Sequence, residues 1–398
     1  MQGKQKLKTQ RAWKTTVMNQ NTDFADYFPH SSEQTYLNHA AVSPLPRPTV
    51  EALRWYLDQR SGQNIEFWPQ ALEVRQQFKM KVAALINARP EDIAWTPNTS
   101  SGLNILANGL SWQPGDRILL NSMEFPANVY PFLNLERLGV AVDFVVPREG
   151  RLLLEDFEHA ITPRTRLLSI SFVQFLNGFR SDLKALAELC HRHGLIFCVD
   201  AIQGLGALQM DVQAMGIDFL ACSGHKWLMW PLGTGFVYIA PHLLERLHPA
   251  VVGWFSVQGS ERFLDYRLEF LPHAGRFETG TFNTAGLVGA NASLDMMLEI
   301  GPQAIEQRVL HLSSLLIDAC RRIGLELFTV PDLQHRSGIV TFRHPRAGEL
   351  FEALARERIH VSLREGMIRV APHFYNTEAD IQRLMEAVNR FNRRNGTA

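Results

Sequence analysis

Between Asp92 and Ala240 the chain alternates seven short apolar runs with stretches of helical character, and that pattern admits very few architectures. The runs are DIAWTP from Asp92, RILLNS from Arg117, VAVDFVV from Val140, RLLSISFV from Arg166, LIFCVD from Leu195, DFLACS from Asp218 and GFVYIA from Gly235. None alternates strictly between apolar and polar residues, so each predicts a strand covered on both faces, as in a parallel sheet flanked by helices. Helices are expected between them over 101–110, 127–138 and 181–193. Upstream, YLNHAAVSPLP from Tyr36 reads as a turn-rich loop feeding a helix over 49–59. After Gly286 the order changes to long helices, short strands over 338–342, 360–363 and 367–370, and a closing helix from Thr377. The expected class is therefore α/β. A large domain over 36–285 holds the mainly parallel sheet, a smaller α+β domain covers 286–398, and 1–35 forms an N-terminal extension. With 398 residues, 46% of them hydrophobic, the chain has ample material for a large core.

Charge narrows the partner. Forty basic and forty acidic side chains leave a formal net charge of zero, so no global field attracts nucleic acid or an anionic membrane. A small neutral or zwitterionic molecule fits better. No apolar run approaches the roughly 20 residues of a membrane span. Four cysteines, Cys190, Cys198, Cys222 and Cys320, are too few for a disulfide scaffold and suit a reducing compartment, so a cytoplasmic enzyme is expected. Cys190, His191 and His193 lack the second ligand pair of a zinc site, and no metal is expected. The basic stretch with Lys4, Lys6, Lys8, Arg11 and Lys14 reads as a frayed leader, with Met18 an alternative start.

The chemistry concentrates in Ser223-Gly224-His225-Lys226-Trp227, directly after the apolar run DFLAC. A lysine at the mouth of a buried strand, hemmed by Trp227, Leu228 and Trp230, loses ammonium hydration and becomes a free amine near neutral pH. A Schiff-base lysine requires this. Taken alone it would more often be a lysine snorkelling from a strand end. Asp200, 26 residues upstream at the end of LIFCVD, falls on the same rim. A carboxylate there can hold a pyridine nitrogen protonated, although an aspartate in this position is commonly a helix cap. Gln203 could donate to a phenolic oxygen, with Gly204 and Gly206 allowing close backbone approach. Asn98-Thr99-Ser100-Ser101-Gly102 sits between a strand and a helix, where hydroxyls and amides suit a phosphate as well as a cap.

These ordered segments resemble the class V aminotransferases, fold-type-I pyridoxal phosphate enzymes that include cysteine desulfurases and isopenicillin N epimerase. The resemblance runs from Tyr36 to Phe391. It implies that Lys226 carries the cofactor, Asp200 pairs with the ring nitrogen, Gln203 reaches the phenolic oxygen, and Thr99, Ser100, Ser223 and His225 surround the phosphate. RFETGTFNT, from Arg276, is similar to a segment that contacts the phosphate bound by the other subunit, which points to Thr281, with Thr279 as a second candidate, and to a homodimer with shared sites. MIRVAPHFYNT, from Met367, resembles the ending whose arginine, here Arg369, grips the α-carboxylate of a small amino-acid substrate. Arg364 and His39 are weaker pocket candidates. Trp227, Trp230, Trp254, Phe255 and Tyr375 could shape the side-chain pocket.

The departures bear on the reaction. Desulfurases carry a nucleophilic cysteine in a loop before the final arginine, and 352–368 contains none. Their ring-stacking histidine falls on Phe125, and their asparagine beside the cofactor on Gln174 or Phe175. The resemblance thus implies an aminotransferase-type enzyme, with a cysteine-independent carbon–sulfur lyase and an epimerase as alternatives. A non-catalytic scaffold that keeps the cofactor is the competing class.

Overall fold

The computed structural model describes residues 24–395. The frayed leader and the alternative start at Met18 lie outside them. In chain order the strands are β1 (Thr35–Tyr36), β2 (Ile93–Thr96), β3 (Arg117–Asn121), β4 (Ala141–Val145), β5 (Thr165–Ser171) and β6 (Ile196–Asp200), then β7 (Phe219–Ser223), β8 (Gly235–Ile239), β9 (Val340–Arg343), β10 (Ile359–His360), β11 (Ser362–Arg364) and β12 (Met367–Val370). The α-helices are α1 (Arg47–Asp58), α2 (Trp68–Ile86), α3 (Thr99–Gly109), α4 (Tyr130–Leu133), α5 (Leu154–Ala160) and α6 (Leu183–Arg192), followed by α7 (Pro241–Leu244), α8 (Thr284–Ile300), α9 (Pro302–Arg322), α10 (Ala347–Arg356) and α11 (Glu378–Asn395).

All seven apolar runs enter one sheet, ordered β2-β8-β7-β6-β5-β3-β4. Successive side chains feed opposite faces, and both faces are buried. Leu119, Leu168, Phe197 and Leu220 join one apolar core, whereas Ile118, Leu167, Cys198 and Phe219 join the other. Two covered faces explain why the runs show no polar alternation. Six strands run one way, but β8 is antiparallel to both β7 and β2. Only residues 224–234 separate β7 from β8, too little chain for the helical crossover that a parallel neighbour needs, so the chain doubles back. The helix expected over 127–138 is broken. Pro126 and Pro131 each open a new segment, and only α4 between two 3₁₀ turns is α-helical.

Helix α8 packs against α1 and α2 on the main sheet's side of the molecule. The remaining C-terminal elements build a second layer, with β11-β12-β9 antiparallel and α9, α10 and α11 around Leu316, Phe342, Leu350, Ile368 and Leu384. The segment before the entry loop is tied in at both ends. Phe24 and Phe28 are buried, Phe28 stacks on Tyr375 at 3.8 Å, and β1 pairs in parallel with β10.

Behind the Lys226 turn lies a buried imidazole web whose protonation is set by its partners. The backbone N–H of Phe374 donates to His373 Nδ1 (2.8 Å), so Nε2 carries the proton and donates to the Trp227 carbonyl (2.8 Å). His39 Nδ1 donates to the Ala371 carbonyl (2.7 Å), leaving Nε2 to accept from the Tyr375 hydroxyl (2.9 Å). Burial lowers the pKa of both rings, His373 to about 4 and His39 well below the ordinary value, and His39 is pushed down further by the neighbouring His373. Below the unfolded histidine pKa near 6.5, the unfolded chain binds protons that the folded chain refuses. Stability is therefore complete above about pH 6.5 and falls as the pH drops toward the folded values, by about 2 kcal/mol at pH 5 for His373, with His39 adding a loss of the same sign. Urea-unfolding midpoints at pH 7.5 and pH 5 measure this. A His373→Gln protein should show a distinctly shallower pH dependence than the wild type, and an equal slope would dismiss the web as its source.

Candidate active site

The carboxyl ends of β2, β3, β5, β6 and β7 open on one edge of the sheet, the usual ligand-binding edge of such folds. Each delivers a side chain singled out above. Thr99 follows β2, Phe125 follows β3, Gln174 follows β5, Asp200 ends β6 and Lys226 follows β7.

The turn that presents Lys226 is tightly constrained. Gly224 N donates to the Thr234 carbonyl (3.0 Å), Trp230 N to the Gly224 carbonyl (2.8 Å) and Met229 N to the Lys226 carbonyl (3.0 Å). Met229 takes a left-handed φ of 57°. A Cβ on Gly224 would lie 2.0 Å from the Trp230 ring, so this position excludes a side chain. Gly206 serves the same turn, because its φ is 100° and a Cβ there would lie 2.5 Å from the Trp227 carbonyl oxygen. Desolvation drives the Lys226 pKa down; Asp200 opposes the shift, while Arg369 and Arg364 reinforce it. Lys226 Nζ sits 5.6 Å from the centroid of the Phe125 ring, which is 44% exposed and packs edge-on to Phe175.

Beneath this amine are two buried carboxyls with opposite surroundings. Asp200 Oδ1 accepts from Ile202 N (3.0 Å), whereas Oδ2 is buried and has no hydrogen-bond partner. Desolvation raises the Asp200 pKa and Glu124 adds to the rise. Glu124 is saturated with donors: Asn121 Nδ2 (2.6 Å), Ser171 N (2.8 Å), Ser171 Oγ (2.5 Å) and Gln174 Nε2 (2.9 Å). The sequence reading missed Glu124. Its only signal was an acid immediately before Phe125 at the end of a buried strand. The orphaned Asp200 oxygen is an acceptor aimed at an absent donor, which is what a protonated ring nitrogen of pyridoxal phosphate supplies.

The other predicted residues fall into distinct groups. Thr99 and Ser223 clasp one another, with Thr99 N donating to Ser223 Oγ (2.7 Å) and Ser223 N to Thr99 Oγ1 (3.0 Å). Their hydroxyls first join β7 to the start of α3. Asn98 caps α3 through Ser101 N (2.8 Å), and Ser100 stays exposed beside it. His225 is half-buried with its pKa lowered by burial to about 4. Gln203 donates one amide hydrogen to the Ala40 carbonyl (3.0 Å) and accepts from Trp227 Nε1 (3.0 Å), which leaves one N–H. Gln174 is fully buried, and its Oε1 has no partner.

Arg369 reaches the same edge from β12. Its Nη1 donates to the Phe175 carbonyl (2.8 Å), and Nη2 makes only a 3.5 Å contact with Ser362 Oγ. Nε is buried without a partner, so the Nε–Nη2 side of the guanidinium is open as a fork. His39 is corrected: it is fully buried with both ring nitrogens engaged, and has none to offer a substrate. Trp227, Trp230 and Tyr375 are likewise core side chains rather than pocket walls. Thr281 and Thr279 are exposed, on a segment fastened by Glu278, which pairs with Arg75 (2.5 Å) and Lys79 (2.9 Å) and accepts from Trp95 N (2.9 Å). All four cysteines are buried, and burial raises every thiol pKa, Cys320 to about 12. Among the described residues no group of three or more His, Cys, Asp or Glu could hold a metal ion, and no helix is long and apolar enough to cross a membrane.

Comparison with known proteins agrees with this geometry. The chain is 32% identical over 382 residues to a probable cysteine desulfurase of Methanothermobacter thermautotrophicus, covering 89% of this chain and 94% of that one. Its fold matches the apo structure of a cysteine desulfurase from Thermococcus onnurineus with a TM-score of 0.86 at 25% identity, over 94% and 99% of the two chains. It also matches the cystine C-S lyase C-DES, solved with its product cysteine persulfide, with a TM-score of 0.83 at 25% identity over 90% and 98%. The fold is that of the fold-type-I pyridoxal phosphate enzymes. The aminotransferase class-V family matches residues 35–384, and the chain belongs to that family of pyridoxal-phosphate-dependent enzymes.

Proposed function

We propose that this enzyme acts at the α-carbon of a small amino acid, with transamination as its leading outcome. One observation carries the reading. A desolvated lysine, a buried carboxylate oxygen without a donor and a guanidinium with an open fork converge on one sheet edge. Pyridoxal phosphate, when bound, supplies an aldehyde that condenses with amines and a ring that withdraws electrons from the bonds of the α-carbon. Asp200 Oδ2 holds the proton on the ring nitrogen. Lys226, its pKa lowered by desolvation to about 8, is both the attachment point and the base for the α-proton. The Nε–Nη2 fork of Arg369 fixes the substrate carboxylate. Ser100 and the amino end of α3, with Thr99, Ser223 and His225 at its side, take the phosphate. Gln203, with one N–H left, would hold the phenolic oxygen, and Gln174 and Phe125 would hold the ring.

The same reading divides the chain into an N-terminal extension, a cofactor-binding part and a C-terminal part that delivers Arg369. Exposed Val251, Phe263, Leu264, Tyr266 and Leu268 support a homodimer in which this loop and Thr281 meet a second copy. Four unpaired thiols support a reducing, cytoplasmic setting.

A carbon–sulfur lyase that needs no thiol relay is the second reading. It is favoured by the burial of every thiol and by the likeness to a cystine C-S lyase. Product analysis separates the two. Keto acid with an aminated cofactor means transamination, whereas pyruvate with ammonia and a sulfur product means lyase.

Three outcomes follow from these assignments. Lys226→Ala should fold, lose the visible absorption band of the bound cofactor and lose roughly 10³-fold or more in turnover; near-normal turnover would refute its role. Arg369→Lys, which keeps the charge but removes the fork, should lose about 10- to 100-fold in kcat/KM, mostly through KM. Treating the native enzyme with a thiol-alkylating reagent should leave turnover unchanged, since no thiol is accessible; inactivation would restore a persulfide route.

A further inference from the structure

The β11–β12 hairpin places a second cation beside Arg369 that the reaction described above does not use. Its register pairs Ser362 with Arg369, Leu363 with Ile368 and Arg364 with Met367. Leu363 and Ile368 turn toward the apolar core of the second layer, so Ser362, Arg364 and Arg369 share the opposite face. Arg364 and Arg369 are diagonal neighbours there, about 7–8 Å apart at the backbone. The two-residue turn between the strands, Glu365 (φ 46°) and Gly366 (φ 71°), has the left-handed conformation of a tight hairpin and holds that spacing.

Arg364 is exposed, and its guanidinium donates only to the Leu363 carbonyl (3.1 Å). Elsewhere in this layer Arg343, Arg346, Arg356, Arg358 and Arg390 each reach a carboxylate. Among the described residues neither Arg364 nor Arg369 does. The two carboxyls near Lys226 are not available to them, because Glu124 is saturated with donors and Asp200 faces the ring. Arg364 also disfavours the charged forms of Arg369 and Lys226. A cluster of like charges with no counter-ion of its own is relieved when an anion enters, and relieved further by an anion with two charged ends.

We propose that Arg364 binds a second acidic group on the substrate, so that the enzyme prefers amino acids with an anionic side chain over neutral ones of equal size. The proposal rests on Arg369 being the α-carboxylate clamp. Arg369 takes the carboxylate common to all amino acids, and Arg364, fixed at one hairpin spacing, reads the distal group.

Calorimetric titration of the cofactor-loaded enzyme at low ionic strength tests this. Malonate, succinate and glutarate are compared with propionate, butyrate and valerate. The best dicarboxylate should bind roughly tenfold tighter than the monocarboxylate of equal chain length, as expected for one added charge-assisted contact. In Arg364→Met that ratio should collapse toward one, and Arg364→Lys, which keeps a point charge, should recover part of it. An unchanged melting temperature shows that the exposed substitution leaves the fold intact. Monocarboxylates that bind the wild type with no dicarboxylate advantage, or an advantage that survives Arg364→Met, overturn the role of Arg364 alone. If neither series binds the wild type, the clamp assignment of Arg369 falls, and this proposal with it.

Discussion

The site depends on lowering the proton affinity of the Lys226 amine, whose pKa falls from the ordinary 10.5 to about 8. Desolvation provides that, and it works only if the turn carrying the lysine cannot relax toward water. Three contacts hold it. Trp230 lies over Gly224, where any side chain would collide, His373 Nε2 donates to the Trp227 carbonyl, and Gln203 accepts from the Trp227 indole. Gln203 follows β6 of the main sheet, whereas His373 follows β12 of the second layer. The imidazole web, the second layer and the main sheet are thus coupled to one side chain's protonation state.

The two buried carboxyls show how one edge supports different charge states. Glu124 accepts from four donor groups and has its acceptor capacity filled within the fold. Asp200 has a single donor and an open oxygen, so its proton affinity responds to whatever enters the site. A protonated ring nitrogen completes it and shifts it toward the carboxylate. Glu124 acts the other way on Asp200, adding to the rise of its pKa, so the incoming cation has to offset both burial and this neighbour.

Much of this was legible in the sequence, and what was not has identifiable causes. The seven strands followed from apolar runs whose neighbouring residues enter two different cores, a pattern that marks burial but carries no direction. The reversal of β8 was hidden for that reason, although the short link 224–234 encoded it. Lys226 and Asp200 stood out because each is an ionisable group at the end of an apolar strand, whereas Arg369 was marked by the resemblance of the segment from Met367 to the family's ending. The roles of Thr99, Ser223 and His39 were harder to read because hydrogen-bonding capacity is consumed pairwise in three dimensions. Thr99 and Ser223 spend theirs on each other, and His39 spends both nitrogens on Ala371 and Tyr375. Glu124 was missed because three of its four donor groups come from Ser171 and Gln174, far from it in the sequence.

The side chains around Lys226 also bear on the fate of the α-proton. Exchange of stereochemistry needs a proton donor on the face opposite the base. Phe125, assigned to cover the ring, has no ionisable group, and Tyr375 and His39 are sealed behind the turn by their own hydrogen bonds. Lys226 is then the group that both removes and returns protons, and a single base on one face favours moving the proton along that face over delivering it from the other side. A base confined to one face would serve reactions that keep the proton on that face, with Lys226 as the shuttle. The proposed transamination and the lyase reading both fit such a base better than epimerisation does, and the burial of all four thiols fits a route without a sulfur relay.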